Sequence, residues 1–133
     1  MTPTQTATAR KLATLPGFAW SAGMRVVMAD LEKPKPTRVV GADPFVAAHE
    51  GEWSAIPCTG TVGRDVPDLA DAATGGVLLV VLGPGWAGYQ RQDGTCWEAV
   101  KMHDHGSAYY SGTTLAEASA KAHIARGRYG VAP

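Results

Sequence analysis

The stretch Pro67-Asp-Leu-Ala-Asp-Ala-Ala-Thr-Gly-Gly-Val-Leu-Leu-Val-Val-Leu-Gly83 decides how the rest of the chain is read. Its last third, Val77 to Leu82 between glycines, has the composition of a buried strand. Its first third reads differently: Asp71 offers a carboxylate to the free N–H groups of a helical first turn, and Ala72 and Ala73 are strong helix formers. Gly75 and Gly76 each cost a helix about 1 kcal/mol relative to Ala. An apolar run on a short helix buried on nearly all sides gives the same pattern as a central strand, so periodicity leaves both open.

Downstream, the breaker Gly83-Pro-Gly85 is followed by two segments that alternate like strands, Trp86 to Arg91 and Thr95 to Met102. Asp93-Gly94 between them is the best short hairpin signal in the chain. In the second segment Cys96, Glu98, Val100 and Met102 share one face, and Thr95, Trp97, Ala99 and Lys101 the other. His103-Asp104-His105 then reads as a solvated turn leading into a Gly/Ser-flanked loop that carries Tyr109 and Tyr110. Residues 112–126 are the clearest helix. Thr114 and Glu117 have capping-box spacing, Arg126 and Arg128 complement the dipole at its end, and Gly127 suits the residue just beyond. Leu115, Ala118, Ala122 and Ala125 form a stripe of small residues able to lie close against a sheet.

Upstream, residues 1–9 alternate Thr with small residues and read as a disordered tail, leaving residues 10–133 as a single domain. From Arg10 the segment Lys11 to Leu15 is a short helical or turn-like element stopped by Pro16-Gly17. Gly23 to Asp30 and Thr37 to Gly41 have strand character and are joined through Lys33-Pro-Lys-Pro36, which predicts a hairpin. Residues 41–67, punctuated by Gly and Pro, suit an irregular excursion or short strands anchored by Phe45 and Trp53.

Leu15-Pro-Gly-Phe18, Ala22-Gly-Met-Arg25 and above all the Pro67–Leu79 segment resemble a group of small uncharacterised proteins encoded by phages and prophages of proteobacteria. The likeness spans most of residues 12–125, with the central segment its specific part. It fails in the long 41–66 insertion and at His103-Asp104-His105. The resemblance implies that residues 72–82 are helical, in the order ββαββα. The expected fold is therefore α+β, an antiparallel sheet of about four strands with two helices on one face. It implies no catalytic residues and no cofactor.

The 133 residues carry twelve Lys+Arg and twelve Asp+Glu, for zero formal net charge. A nucleic-acid binder needs a basic footprint to displace counterions, so nucleic acid is an unlikely partner, and an acidic mimic of DNA is equally disfavoured. The charges are segregated along the chain: six basic and two acidic residues in 1–40, two and eight in 41–100, four and two in 101–133. Sixteen Gly and nine Pro predict a loop-rich fold. The longest apolar run has six residues, far short of the ~20 that cross a bilayer. Only two cysteines, Cys58 and Cys96, are present, and no basic-then-apolar leader opens the chain. The expectation is a cytoplasmic protein with reduced thiols.

Two kinds of chemistry have candidate residues. His103 and His105 are weak metal ligands, which Cys58 or His49 would have to complete, and a solvated turn accounts for the same residues more simply. Either cysteine with a histidine makes a nucleophile pair, centred on Cys58 because Cys96 reads as a small core residue. A binding surface draws on more of the sequence. Trp86, Tyr89, Arg91, Tyr109, Tyr110, Arg126 and Arg128 have the aromatic and Arg character of interface anchors. Glu50, Glu52 and Asp65 make the insertion an acidic alternative. The expected function is a non-enzymatic phage or prophage accessory protein that binds a host or phage protein, such as an inhibitor of a host defence complex of the anti-CRISPR type. The alternative is a small metal- or thiol-dependent enzyme at Cys58 and His103/His105.

Overall fold

The computed structural model describes residues 1–28, 37–42, 45–49, 55–57, 65–103 and 106–130. Among them the elements run α1 (Pro3–Ala13), β1 (Arg25–Met28), β2 (Thr37–Ala42), β3 (Phe45–His49), β4 (Ala55–Pro57), β5 (Asp65–Pro67), α2 (Ala72–Val81), β6 (Trp86–Gln90), β7 (Trp97–His103), β8 (Gly106–Gly112) and α3 (Leu115–Arg126). The fold is α+β, but it departs from one four-stranded sheet with two helices. Three helices accompany two antiparallel sheets, ordered β4-β3-β2-β1-β5 and β6-β7-β8.

The first departure is α1, which occupies the residues expected to be a tail. Thr2 accepts the Gln5 N–H at 3.1 Å while the Gln5 side chain accepts the Thr2 N–H at 2.9 Å, a complete capping box. Gln5 also donates from Nε2 to Thr113 Oγ1 and Glu117 Oε2, and Ala9 and Leu12 are fully buried. The helix is held by these distant partners more than by its own Thr-rich composition.

The predicted hairpin pairs β1 with β2, Arg25 opposite Arg38 and Val26 opposite Thr37, while its Lys33-Pro-Lys-Pro36 connection lies outside the described residues. The excursion after it supplies β3, β4 and β5; β5 returns to the other side of β1. Two of these strands have only three residues, too short for any period to register. The proposed anchors Phe45, whose side chain is not described, and Trp53 lie outside the described side chains.

The deciding stretch is a helix. Asp71 caps α2, its carboxylate accepting from Thr74 N at 2.8 Å and Thr74 Oγ1 at 2.9 Å. Thr74 Oγ1 in turn accepts the Arg25 N–H at 2.8 Å, which ties the start of α2 to β1. Gly75 has a packing reason: a Cβ there would lie 2.9 Å from the backbone nitrogen of Ala116, so α2 and α3 cross too closely for any side chain.

Helix α3 ends at Gly127 with φ 72°, the left-handed cap its sequence suggests. At its start only half of the expected capping box forms. Thr114 Oγ1 accepts the Glu117 N–H at 3.1 Å, but the Glu117 carboxylate accepts from Thr113, its hydroxyl at 2.7 Å and its N–H at 3.2 Å.

Two apolar clusters meet on α3. One gathers Leu12, Met24, Val26, Val39, Val66, Leu69 and Leu78 with Ala116 and Ala120; the other joins Leu82 and Ala99 to Ala118 and Ala122. The small-residue stripe thus packs on the second sheet at Ala118 and Ala122, while Ala125 is exposed.

Candidate functional site

The hairpin signalled by Asp93-Gly94 forms as drawn, Trp86 opposite Lys101 through Gln90 opposite Trp97. Asp93 Oδ1 accepts from Thr95 N at 3.0 Å and Thr95 Oγ1 at 2.7 Å, which lowers the Asp93 pKa and fixes the turn. β8 adds a third strand in continuous register from His103 opposite Gly106 to Trp97 opposite Gly112. Tyr109 and Tyr110, expected in a loop, are therefore neighbours on a strand and point to opposite faces.

Cross-strand partners share a face, so register sorts the candidate residues. Gly88, Ala99 and Tyr110 form one row, on the side that α3 covers, where Ala99 is fully buried. Trp86 also lies there; its ring is 6.2 Å from that of Tyr110, and both pack on the second cluster. Ala87, Val100 and Tyr109 form a row on the opposite side, followed by Tyr89, Glu98 and Ser111. On this open side Tyr89 is 49% exposed, Tyr109 63% and Met102 70%.

Glu98 sits among them, only 6% exposed. The Tyr89 hydroxyl donates to its Oε2, and Arg91 Nε lies 3.5 Å from its Oε1. The hydrogen bond to the carboxylate raises the Tyr89 pKa. The Arg91 guanidinium is held in its charged form first by the Cys96 thiol beside it and then by Glu98. Tyr89, Arg91, Gln92 and Asp93 also line an open depression of about 510 Å³ at the hairpin end of this face. The face thus carries a polar Glu98–Arg91 pair beside Tyr89, with Tyr109 and Met102 exposed further along the same side.

The expected aromatic and Arg patch is split. Tyr89, Arg91 and Tyr109 come together on the open face, whereas Trp86 and Tyr110 lie on the covered one. Arg126 is elsewhere, donating to the carbonyls of Leu82 at 3.3 Å and Gly130 at 3.0 Å, and Arg128 follows α3 in a half-buried turn. Met102 is the residue missed: alternation had set it on the face of Glu98, but its exposure depends on α3 lying on the other side. Asp65 is on β5, opposite Met28, and its side chain is not described. Glu50, Glu52, Cys58 and His105 lie outside the described residues, and His103, the last residue of β7, has no described side chain. Among the described residues no three His, Cys, Asp or Glu side chains converge as metal ligands, and no helix is long and apolar enough to cross a membrane.

A second exposed apolar area runs along α2, a groove of about 540 Å³ bordered by Ala73, Gly76, Val77 and Val80. It has no charged or aromatic residue. Comparison with known proteins adds no relative: no family model, no curated protein and no solved structure matches the chain.

Proposed function

We propose that this protein is a non-catalytic binding module that docks a protein partner on the open face of the β6-β7-β8 sheet. The observation that carries the reading is the concentration of Tyr89, Met102 and Tyr109, three large apolar side chains half to three-quarters exposed, on one side of one sheet. Large apolar side chains grouped on one exposed face are costly to leave in water and mark interaction sites, and Tyr with Arg is the composition of interface anchors. The Glu98–Arg91 pair on this face and the zero net charge favour a protein over a polyphosphate backbone. The resemblance to phage and prophage proteins supports a host or phage protein as that partner, a host defence complex of the anti-CRISPR type being one such target.

The test compares the wild type with the triple variant Tyr89→Ser/Met102→Ser/Tyr109→Ser, and with Val80→Ser on α2 as control. In quantitative affinity capture from host lysate, the partner should be retained by the wild type and the control, and weakened at least about tenfold by the triple variant. A partner held equally by all three refutes the open face as the docking site.

A further inference from the structure

We infer that β8 is a pairing edge, and that two copies of this chain join through antiparallel β8 strands related by a twofold axis at Tyr109. The phase of the sheet's hydrogen bonds comes first. The Arg91 N–H donates to the Cys96 carbonyl at 3.0 Å, so Cys96 directs its backbone groups toward β6. Alternation along β7 then turns Glu98 and Val100 toward β6, and Trp97, Ala99 and Lys101 toward β8. Their partners Gly112, Tyr110 and Ala108 use their backbone groups internally. Ser107, Tyr109 and Ser111 are left presenting N–H and C=O outward. A separate contact agrees: the Ser111 carbonyl is accessible to Lys121, whose ammonium donates to it at 3.0 Å from α3.

Among the described residues β8 has no strand on this outer side. It lacks the usual guards of an edge, since seven residues pair without a bulge and none is Pro or charged. The other edge, β6, is shorter, with five residues against seven.

Its sequence suits a second copy in particular. Gly106-Ser-Ala-Tyr-Tyr-Ser-Gly112 is nearly symmetric about Tyr109. Antiparallel pairing centred there sets Tyr109 opposite Tyr109 of the other copy, Ser107 opposite Ser111, Gly106 opposite Gly112, and the small Ala108 opposite the large Tyr110. This register joins the outward-facing Ser107, Tyr109 and Ser111 to the same residues of the other copy, and no like charges meet. Lys121 does not block it: a carbonyl accepts two hydrogen bonds, and Glu117 Oε1 lies 3.3 Å from the ammonium to hold it if displaced. The product is a six-stranded sheet with the two open faces side by side.

Sedimentation equilibrium of the full chain from micromolar to millimolar concentration tests this, beside Ser111→Pro. Proline at 111 removes only an outward N–H and leaves the β7 pairing intact. The wild type should be a dimer in this range, and Ser111→Pro should weaken it at least tenfold with an unchanged circular dichroism spectrum. If that variant does not fold, Ser107→Pro replaces it, because it too removes only an outward N–H. Amide exchange should slow with rising concentration at Ser107, Tyr109 and Ser111 and stay constant at Gly88 and Gln90 on β6. A wild type monomeric at millimolar concentration, as expected if β8 takes only the strand of a different protein, overturns the proposal. So does a dimer unaffected by the folded variant, or protection that appears on β6. Ser111→Pro keeps Tyr89, Met102 and Tyr109 in place, so dimerisation and partner docking fail separately.

Discussion

His123 is the most constrained single residue. It is fully buried, its ring stacked 4.7 Å from that of Tyr129, with Nε2 2.9 Å from the Leu78 carbonyl and Nδ1 accepting the Gly130 N–H at 3.3 Å. These contacts define a neutral imidazole protonated at Nε2. Burial lowers its pKa most, the Arg126 cation lowers it further, and the carbonyls of Leu78 and Arg128 offset part of this. Among the described residues Tyr129 and Arg126 are the titratable groups recorded against it, and α2, on the other side, contributes the Leu78 carbonyl. A histidine depressed in the folded state takes up its proton first when unfolded. Its contribution is therefore complete above about pH 6.5 and is lost as pH falls through the window below. Urea midpoints should drop between pH 7.5 and pH 5, and His123→Gln should flatten that slope; equal slopes would contradict it. Tyr129 runs the other way. Burial pushes its phenol up to about 12, so absorbance titration should find this tyrosine ionising last.

At the scale of elements, what was legible was local. Asp71 as a cap, Thr114 as a cap, Gly127 past the end of α3 and Asp93-Gly94 in a hairpin are each set by a few adjacent residues, and each formed. β8 was illegible because Gly-Ser-Ala-Tyr-Tyr-Ser-Gly has no polar alternation. The Glu117 partner was misplaced because Thr113, one residue away, offers both a hydroxyl and an N–H. Thr74 shows what lies beyond local reading, since its hydroxyl links the Asp71 cap to the Arg25 N–H. Thr74→Val should cost about 2 kcal/mol, read from denaturant unfolding, because it strands that N–H; Asp71→Ala should cost about 1 kcal/mol. Glu117 gives a parallel case. Burial pushes its carboxyl up, but the hydrogen bonds from Thr113 and Lys121 outweigh it and hold the group below the usual range. That contribution is present above the ordinary carboxylate pKa and is lost as pH falls below it.

For the whole molecule, the apolar pattern showed that a sheet and helices pack together, but not that the strands divide into two sheets. That division depends on α3, which gives Ala116 and Ala120 to one cluster and Ala118 and Ala122 to the other. Both clusters should therefore unfold together. Fluorescence of the four tryptophans, which include Trp20 beside the first cluster and Trp86 beside the second, and far-UV circular dichroism should report one coincident transition. Ala120→Leu should lower that transition by about 1–3 kcal/mol by both probes. The candidate site was legible in residue type at Tyr89, Arg91 and Tyr109, but its grouping was not, because register alone decides which side of the sheet each ring takes.

The crossing of α2 and α3 at Gly75 extends beyond stability. With the crossing of α2 and α3 lined by alanines and a glycine, size is limited most severely where side chains are smallest. A saturation scan scored for folded protein should find its least tolerant positions at Gly75, Ala116, Ala118, Ala120 and Ala122, and its most permissive at the large exposed residues Tyr89, Met102 and Tyr109. A scan scored for partner capture should lose that permissiveness at the three exposed residues and their open-face neighbour Arg91, and not on the covered side of the sheet. The difference between the two maps would test the proposed docking face without the partner having been identified.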